Sequence, residues 1–198
     1  TEYNKVIDNN EKKTELEESN KGYKPLYVVG TRMGHYSIAK ACNMLELNFY
    51  EVPTDHFKTD PKEVEKAIKY IQEIGGETVV LVGIAGETET GKVDDLVSLG
   101  GIAEKNHIHF HVDAAYGGPF ILSRNKKLFQ GIENADSITV DPHKLMYTDY
   151  PAGVVLFKDK RVQMLIEKNM KERARYLLKT NTREDDNNKN YGMSRVEG

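Results

Sequence analysis

The sequence predicts an α/β fold in which a largely parallel sheet is flanked by helices. Short apolar runs alternate with segments of helical periodicity, which is the pattern of βαβ units. The run TVVLVGIA at residues 78–85 is almost continuously apolar, as expected of a strand that is buried on both faces of a sheet. Polar side chains capable of chemistry follow several strands, and ligands of such sheets bind at the carboxyl ends of the strands.

The first half of the chain predicts two strands, each followed by a helix. Residues 5–22 are polar and charged, and we expect a solvated helix or loop there. Apolar runs predict strands at residues 26–29 and 49–52, and helical periodicity predicts a helix at residues 36–45.

A second helix is predicted to begin at Asp60, with Pro61 at its first position and Glu63 reaching back to the cap. Gly75 and Gly76 are expected to end it. Its apolar stripe consists of Val64, Ala67, Ile68, Ile71 and Ile74.

The second half of the chain continues the alternation. The tract at residues 180–190 is polar and is expected to be mobile. The predicted elements after residue 85 are a helix at 93–104, strands at 108–112, 137–140 and 154–157, and a helix at 160–178.

Composition and charge favour a globular protein of the cytoplasm. Of the 198 residues 38% are hydrophobic, which suffices for a core, and the net charge of −3 gives no attraction to nucleic acid or anionic membranes. No run approaches the ~20 apolar residues of a membrane span, and the polar N-terminus does not resemble a signal peptide. The single cysteine, Cys42, cannot form a disulfide within the chain and fits a reducing compartment.

Asp113 and Lys144 follow two strands of the predicted sheet and together suit pyridoxal 5′-phosphate (PLP). A lysine amine can bind the aldehyde of PLP as a Schiff base, and a buried carboxylate can keep the pyridine nitrogen protonated, so that the ring withdraws electrons. Taken singly, Asp113 also suits a cap for the following backbone, and Lys144 a solvated surface position. Gly117 and Gly118 allow the backbone to approach closely after Asp113. The pair therefore predicts a PLP site at the carboxyl edge of the sheet.

The histidines leave more than one interpretation open. His35 precedes a helix start, where it could cap the helix, lie on the surface or stack on the pyridine ring. His143 directly precedes the lysine, where it could donate to the cofactor phosphate. His107, His109 and His111 alternate along a strand and could suggest a metal site, but no carboxylate or cysteine accompanies them at ligand spacing, so we expect no metal.

Four segments in this order resemble the group II PLP-dependent amino acid decarboxylases, which have the aspartate aminotransferase-like fold (fold type I). They are HYSIAKA at 35–41, GETETGKVD at 86–94, HVDAAYGG at 111–118 and DSITVDPHK at 136–144, and the resemblance covers about residues 25–165. The YTDYPAG segment that follows at 147–153 is most similar to bacterial and archaeal tyrosine (or aspartate) decarboxylases.

The resemblance implies a role for six residues of these segments. Lys144 would bind PLP covalently and Asp113 would pair with the pyridinium nitrogen. The other implied contacts are His35 on one face of the ring, Ala115 on the other, His143 at the phosphate, and Thr88 near the polar edge of the ring or the substrate carboxylate.

The ends of the chain add further expectations from the same resemblance. The opening TEYN is similar to a Gly-Gly-Thr-Glu-x-Asn segment that binds the phosphate, which implies contacts from Thr1 and Asn4. We therefore expect residues 1–178 to form a PLP-binding large domain that lacks its N-terminal part, and residues 179–198 a polar segment leading to an absent C-terminal domain. One departure concerns the site: Glu87 stands where the family commonly has threonine, and could alter the preference for substrate charge.

The implied function is decarboxylation of an L-amino acid, with a tyrosine-like aromatic substrate favoured, in a homodimer. Tyr150 is our preferred donor of the proton to Cα and Tyr176 the alternative, although either tyrosine could simply lie on the surface. Another fold type I reaction (of the transaminase, desulfurase or aldolase type) would share Asp113 and Lys144. An inactive chain that binds PLP and acts through its interface is the remaining alternative.

Overall fold

The computed structural model describes residues 24–173, and these belong to two compact units that divide between Lys158 and Asp159. The predictions for residues 5–22 and 180–190 lie outside the described residues, as do Thr1, Asn4 and Tyr176.

The first unit contains eight described strands and three described α-helices. The strands are β1 (Leu26–Thr31), β2 (Asn48–Val52), β3 (Thr54–Asp55), β4 (Lys58–Thr59), β5 (Glu77–Ile84), β6 (His109–Asp113), β7 (Ser137–Val140) and β8 (Val154–Phe157). The helices are α1 (Ser37–Met44), α2 (Pro61–Glu73) and α3 (Leu96–Lys105), with 3₁₀ turns at Gly118–Leu122, Lys126–Phe129 and Ile132–Asn134. The described part of the second unit is helix α4 (Lys160–Arg173).

Six strands form one sheet in the order β2-β1-β5-β6-β7-β8, while β3 and β4 form a small hairpin. All neighbours in the six-stranded sheet are parallel except β7 and β8. This confirms the predicted largely parallel sheet with flanking helices. Because β1, β5, β6 and β7 are parallel, their carboxyl ends meet at one edge.

The core lies between this sheet and the helices α2 and α3. Burial of each large apolar side chain contributes about 1.5–3 kcal/mol, which favours this arrangement of layers. The α2 stripe was predicted correctly, and its buried members are Val64, Ala67, Ile68 and Ile71, which pack with Val29, Leu81, Leu99 and Phe110.

Helix α2 begins as predicted, except at one side chain. Pro61 is its first residue, and Asp60 Oδ1 accepts a hydrogen bond from the Lys62 N–H at 2.9 Å. The prediction that Glu63 reaches back to the cap is wrong. Its carboxylate instead pairs with Lys66 Nζ at 2.6 Å, because a lysine three residues later offers a full charge on the same helix face.

Helix α3 begins three residues later than predicted, and Asp94 explains the difference. The buried Asp94 carboxylate accepts hydrogen bonds from the Thr59 N–H at 2.8 Å, the Thr59 hydroxyl at 2.7 Å and the Ile84 N–H at 2.8 Å. These bonds hold Asp94 beside β4 and β5, outside the helix. Asp95 then caps α3 by accepting from the Ser98 N–H at 3.1 Å.

Candidate active site

A cavity of about 760 Å³ lies at the carboxyl edge of the sheet, large enough for a cofactor together with a small substrate. Segments that follow β1, β5, β6 and β7 all contribute to its wall. Of the residues predicted for the site, the cavity is lined by His35, Thr88, Asp113, Ala115 and Lys144.

Asp113 is the last residue of β6 and is held there by the sheet. It pairs with Ile84 on one side and Thr139 on the other, and its backbone carbonyl accepts a hydrogen bond from the Ala85 N–H at 2.8 Å. One carboxylate oxygen, Oδ1, accepts from the Ala115 N–H at 3.1 Å. This bond orients the carboxylate and leaves Oδ2 for a donor such as a protonated ring nitrogen.

Lys144 lies in the turn that follows β7. Its backbone N–H donates to the carbonyl of Asp141 at 3.0 Å, and its Nζ forms an ion pair with Asp141 Oδ2 at 2.9 Å. Both residues line the cavity, with side chains 34% and 19% exposed. Sequence reasoning gave Asp141 no role, although its spacing of three residues from Lys144 within a turn was a usable signal.

His35 is fixed by the residue two positions later. Its Nδ1 lies 2.8 Å from the Ser37 hydroxyl and accepts a hydrogen bond from the Ser37 N–H at 3.4 Å. Because a backbone N–H can only donate, Nδ1 must carry the lone pair, and a neutral ring then bears its hydrogen on Nε2. The exposed His35 ring can therefore present an N–H in the cavity.

His111 also lines the cavity, and sequence reasoning considered it only as part of a metal site. Its Nδ1 lies 2.8 Å from the Ser137 hydroxyl and its Nε2 lies 3.2 Å from the Thr139 hydroxyl. His109 also binds the Ser137 hydroxyl, at 2.8 Å. Burial lowers the pKa of His111, and Asp113 opposes this shift only in part. The ring is therefore neutral at neutral pH, with both of its nitrogens occupied by hydroxyl groups.

Glu87 anchors the turn that carries Thr88. Its carboxylate accepts hydrogen bonds from the Glu89 N–H at 2.8 Å, the Thr90 N–H at 2.7 Å and the Thr90 hydroxyl at 2.9 Å. Burial alone would raise the pKa of Glu87, but these hydrogen bonds outweigh it and the pKa lies below its ordinary value. Glu87 thus stabilises the loop beside the cavity as a carboxylate whose charge is compensated by the turn.

Two glycines allow the loops after β5 and β6 to touch. Gly86 has a φ of +91°, and a Cβ there would lie 2.4 Å from the Cα of Gly117. A Cβ on Gly117 would lie 2.4 Å from the carbonyl oxygen of Ala85. Because real side chains do not approach so closely, the loops bearing Thr88 and Ala115 can meet only through glycine.

His143 and Tyr150 pack against each other and are not among the cavity-lining residues. The His143 Nδ1 lies 2.6 Å from the carbonyl oxygen of Ala152 and 3.3 Å from the Ala152 nitrogen, and the His143 ring meets that of Tyr150 edge-on at 4.8 Å between centroids. Tyr150 is 81% exposed. The predicted phosphate contact of His143 and the predicted proton transfer by Tyr150 therefore stay predictions.

Several of the known proteins that this chain resembles are decarboxylases. A pyridoxal-dependent decarboxylase conserved domain matches residues 3–197. The aspartate 1-decarboxylase of Aliivibrio fischeri is 34% identical over 164 residues, which are 80% of this chain and 29% of that protein. A probable L-tyrosine/L-aspartate decarboxylase of Methanosphaerula palustris is 40% identical over 144 residues, or 70% of this chain and 38% of the relative.

A solved structure from Vibrio parahaemolyticus shares the fold. It is the glutamate decarboxylase domain of diaminobutyrate-pyruvate transaminase and L-2,4-diaminobutyrate decarboxylase, with a TM-score of 0.65 and 30% identity, covering 78% of this chain and 32% of that one. The chain spans about a third of the length of the curated relatives it matches. With the family matched over residues 3–197, the chain belongs to the pyridoxal-dependent decarboxylases.

Proposed function

We propose that this chain forms the cofactor-binding part of a PLP-dependent decarboxylase that converts an L-amino acid into the amine and CO2. The observation that carries the proposal is the presence of Lys144, Asp113 and His35 around one cavity. Their chemistry fits PLP, since an amine, a carboxylate with one uncommitted oxygen and an aromatic ring suit its aldehyde, its ring nitrogen and its ring face. When bound, PLP supplies a sink for the electrons that remain on Cα as CO2 departs.

Each residue of the site then has a task. The Lys144 amine holds the cofactor and later releases the product, and Asp113 Oδ2 keeps a proton on the pyridine nitrogen. The His35 ring limits motion of the cofactor ring from one side, and Ala115 does so from the other. Thr88 binds near the polar edge of the ring or the substrate carboxylate.

Four further residues complete the proposal. We assign phosphate contacts to His143, Thr1 and Asn4. We assign the proton that returns to Cα to Tyr150, because its side chain is 81% exposed and so is available to a second subunit.

We propose a tyrosine-like aromatic L-amino acid as the favoured substrate and a cytoplasmic homodimer as the active form. Relatives named as L-tyrosine/L-aspartate decarboxylases support the choice of an amino acid of this kind. No helix within residues 24–173 has the length and apolar character that a membrane crossing requires.

Product analysis tests the proposal. The full-length protein with PLP should release CO2 and the matching amine from at least one of tyrosine, phenylalanine, DOPA, glutamate and aspartate. Lys144→Ala should abolish turnover and also the borohydride-trapped adduct of PLP with the protein, whereas Lys62→Ala, an exposed lysine on α2, should change neither.

The outcomes separate the competing functions. If Lys144→Ala retains the trapped adduct and turnover, the assignment of this lysine is wrong. Formation of a keto acid without CO2 would indicate a transaminase instead. PLP binding without any product would indicate a protein that acts through its interface.

A further inference from the structure

The Lys144 amine has a partner within the cavity that the proposed function does not use. Asp141 is the first residue after β7, and its N–H donates to the Ala115 carbonyl at 3.2 Å, which ties it to the loop beyond Asp113. Its Oδ2 meets Lys144 Nζ at 2.9 Å. The other oxygen, Oδ1, lies near Gly153, where an added Cβ would be 3.4 Å from it.

This placement gives the two aspartates of the cavity different tasks. Asp113 leaves an oxygen for a ligand, whereas Asp141 directs its oxygen at the lysine. A partly buried charge requires a partner, and Asp141 provides it on the segment that carries the lysine. Its position is fixed at both ends, through the Ala115 carbonyl and through the turn to the Lys144 N–H.

We propose that Asp141 is a positioning residue that holds the Lys144 amine at the cavity wall for the capture of PLP, an inference that rests on the proposed function. In that capture the lysine nitrogen bonds to the aldehyde carbon. The aldehyde oxygen leaves as water with two of the three ammonium hydrogens, so the positive charge stays on nitrogen. Asp141 therefore faces a cation both before and after the reaction, and its placement suits both states.

A positioning role for Asp141 predicts a change in two reaction rates that a general loss of structure would not produce. A bound aldehyde reacts only with an amine held in the right place, so loss of Asp141 should slow the capture of PLP. Formaldehyde approaches from any direction and gains nothing from positioning. Formaldehyde should methylate Lys144 faster in an Asp141 variant, because the amine is then no longer held in an ion pair. The two rates should thus move in opposite directions.

The test uses the full-length protein freed of cofactor, as wild type, Asp141→Asn, Asp141→Ala and Asp55→Asn. Asp55→Asn removes the same charge from an exposed strand. PLP capture is followed by borohydride trapping. Lys144 methylation by formaldehyde and cyanoborohydride is followed by peptide mass spectrometry, with the exposed Lys62 as internal reference.

We expect Asp141→Asn to slow PLP capture about threefold to tenfold, as loss of a partly buried charged contact does. Asp141→Ala should slow it more, because the amide can still accept one hydrogen bond from the amine. Methylation of Lys144 relative to Lys62 should rise in both variants and stay constant in Asp55→Asn.

Unchanged rates, or two rates that change in the same direction, would overturn the proposal. Should Asp141→Ala fail to fold, the nearly isosteric Asp141→Asn carries the test alone. Failure of the proposed function would give a result different from failure of this proposal. The wild-type protein would then capture no PLP, while the formaldehyde reaction would still report whether Asp141 shields the amine.

Discussion

Asp94 and Asp113 show how hydrogen-bond partners distinguish a structural carboxylate from one that is free to bind a ligand. Asp94 has both oxygens bonded to Thr59 and Ile84, and burial raises its pKa although these bonds oppose the shift. Among the described residues, the Asp113 carboxylate accepts one hydrogen bond, from the Ala115 N–H, on a single oxygen. Both carboxylates lie at the same sheet edge, where Asp94 stabilises the fold and Asp113 can bind a ligand.

His111 should make the stability of the protein depend on pH. Burial lowers its pKa in the folded state. As the pH falls through about 6.5, the unfolded chain takes up a proton at this position that the folded chain does not. The free energy of unfolding should therefore fall on acidification, by at most about 1.4 kcal/mol per pH unit for this one group.

Urea unfolding of wild type and His111→Gln between pH 7 and pH 5 measures this contribution. We expect the substitution to reduce the loss of stability on acidification, because glutamine takes up no proton. His56→Gln is the matched control, since the His56 side chain is 92% exposed. Equal slopes for wild type and His111→Gln would show that burial of His111 does not govern the acid response.

At the scale of elements, the contact between the loops after β5 and β6 depends on backbone shape. Gly117→Ala would place a Cβ 2.4 Å from the Ala85 carbonyl oxygen. We expect a loss of at least about 2 kcal/mol in the free energy of unfolding, together with weaker PLP binding, because the loops that carry Thr88 and Ala115 must separate.

Gly101→Ala in α3 provides the control for that substitution. Nothing lies within 4 Å of a Cβ at Gly101, and alanine favours a helix. This variant should be about 0.5–1 kcal/mol more stable than wild type. If thermal unfolding shows that Gly117→Ala is tolerated as well as Gly101→Ala, the close approach of the loops is not required.

The elements could be predicted where one local pattern determined them. The α2 stripe and the continuous apolar run of β5 are examples. Burial on one face gives a helix its apolar stripe, and burial on both faces gives a strand an unbroken apolar run. The start of α3 could not, since it depends on Asp94 bonding to Thr59, which is 35 residues away. The partner of Glu63 is a choice between a backbone N–H and Lys66, and sequence spacing permits both.

The candidate site shows the same division between local and distant causes. Alternating strands predicted that Asp113 and Lys144 reach one sheet edge, because parallel strands align their carboxyl ends. The roles of Asp141 and His111 require side-chain geometry. The sequence shows Asp141 only as a residue of a turn, whereas the structure shows its carboxylate in an ion pair with Lys144. The hydroxyl groups that contact the His111 ring nitrogens belong to Ser137 and Thr139 on the neighbouring strand.

At the scale of the whole molecule, the proposed role of Tyr150 depends on the proposed dimer. Its side chain is 81% exposed and does not line the cavity of its own chain. If Tyr150 serves the site of a partner subunit, each working site combines Lys144 of one chain with Tyr150 of the other. Lys144→Ala and Tyr150→Phe should then each inactivate a homodimer.

Mixing the two inactive full-length variants tests this arrangement. In a mixed dimer one of the two sites has both wild-type groups, so random exchange of subunits in equal amounts should restore about a quarter of wild-type activity. Amine release is measured before and after exchange, and mixtures of each variant with itself should stay inactive. If Tyr150 instead acts on its own chain, no site of a mixed dimer is complete and exchange restores nothing. The Cα proton donor would then be Tyr150 of the Lys144 subunit itself, whereas a Tyr150→Phe variant that is active on its own would direct the search to Tyr176.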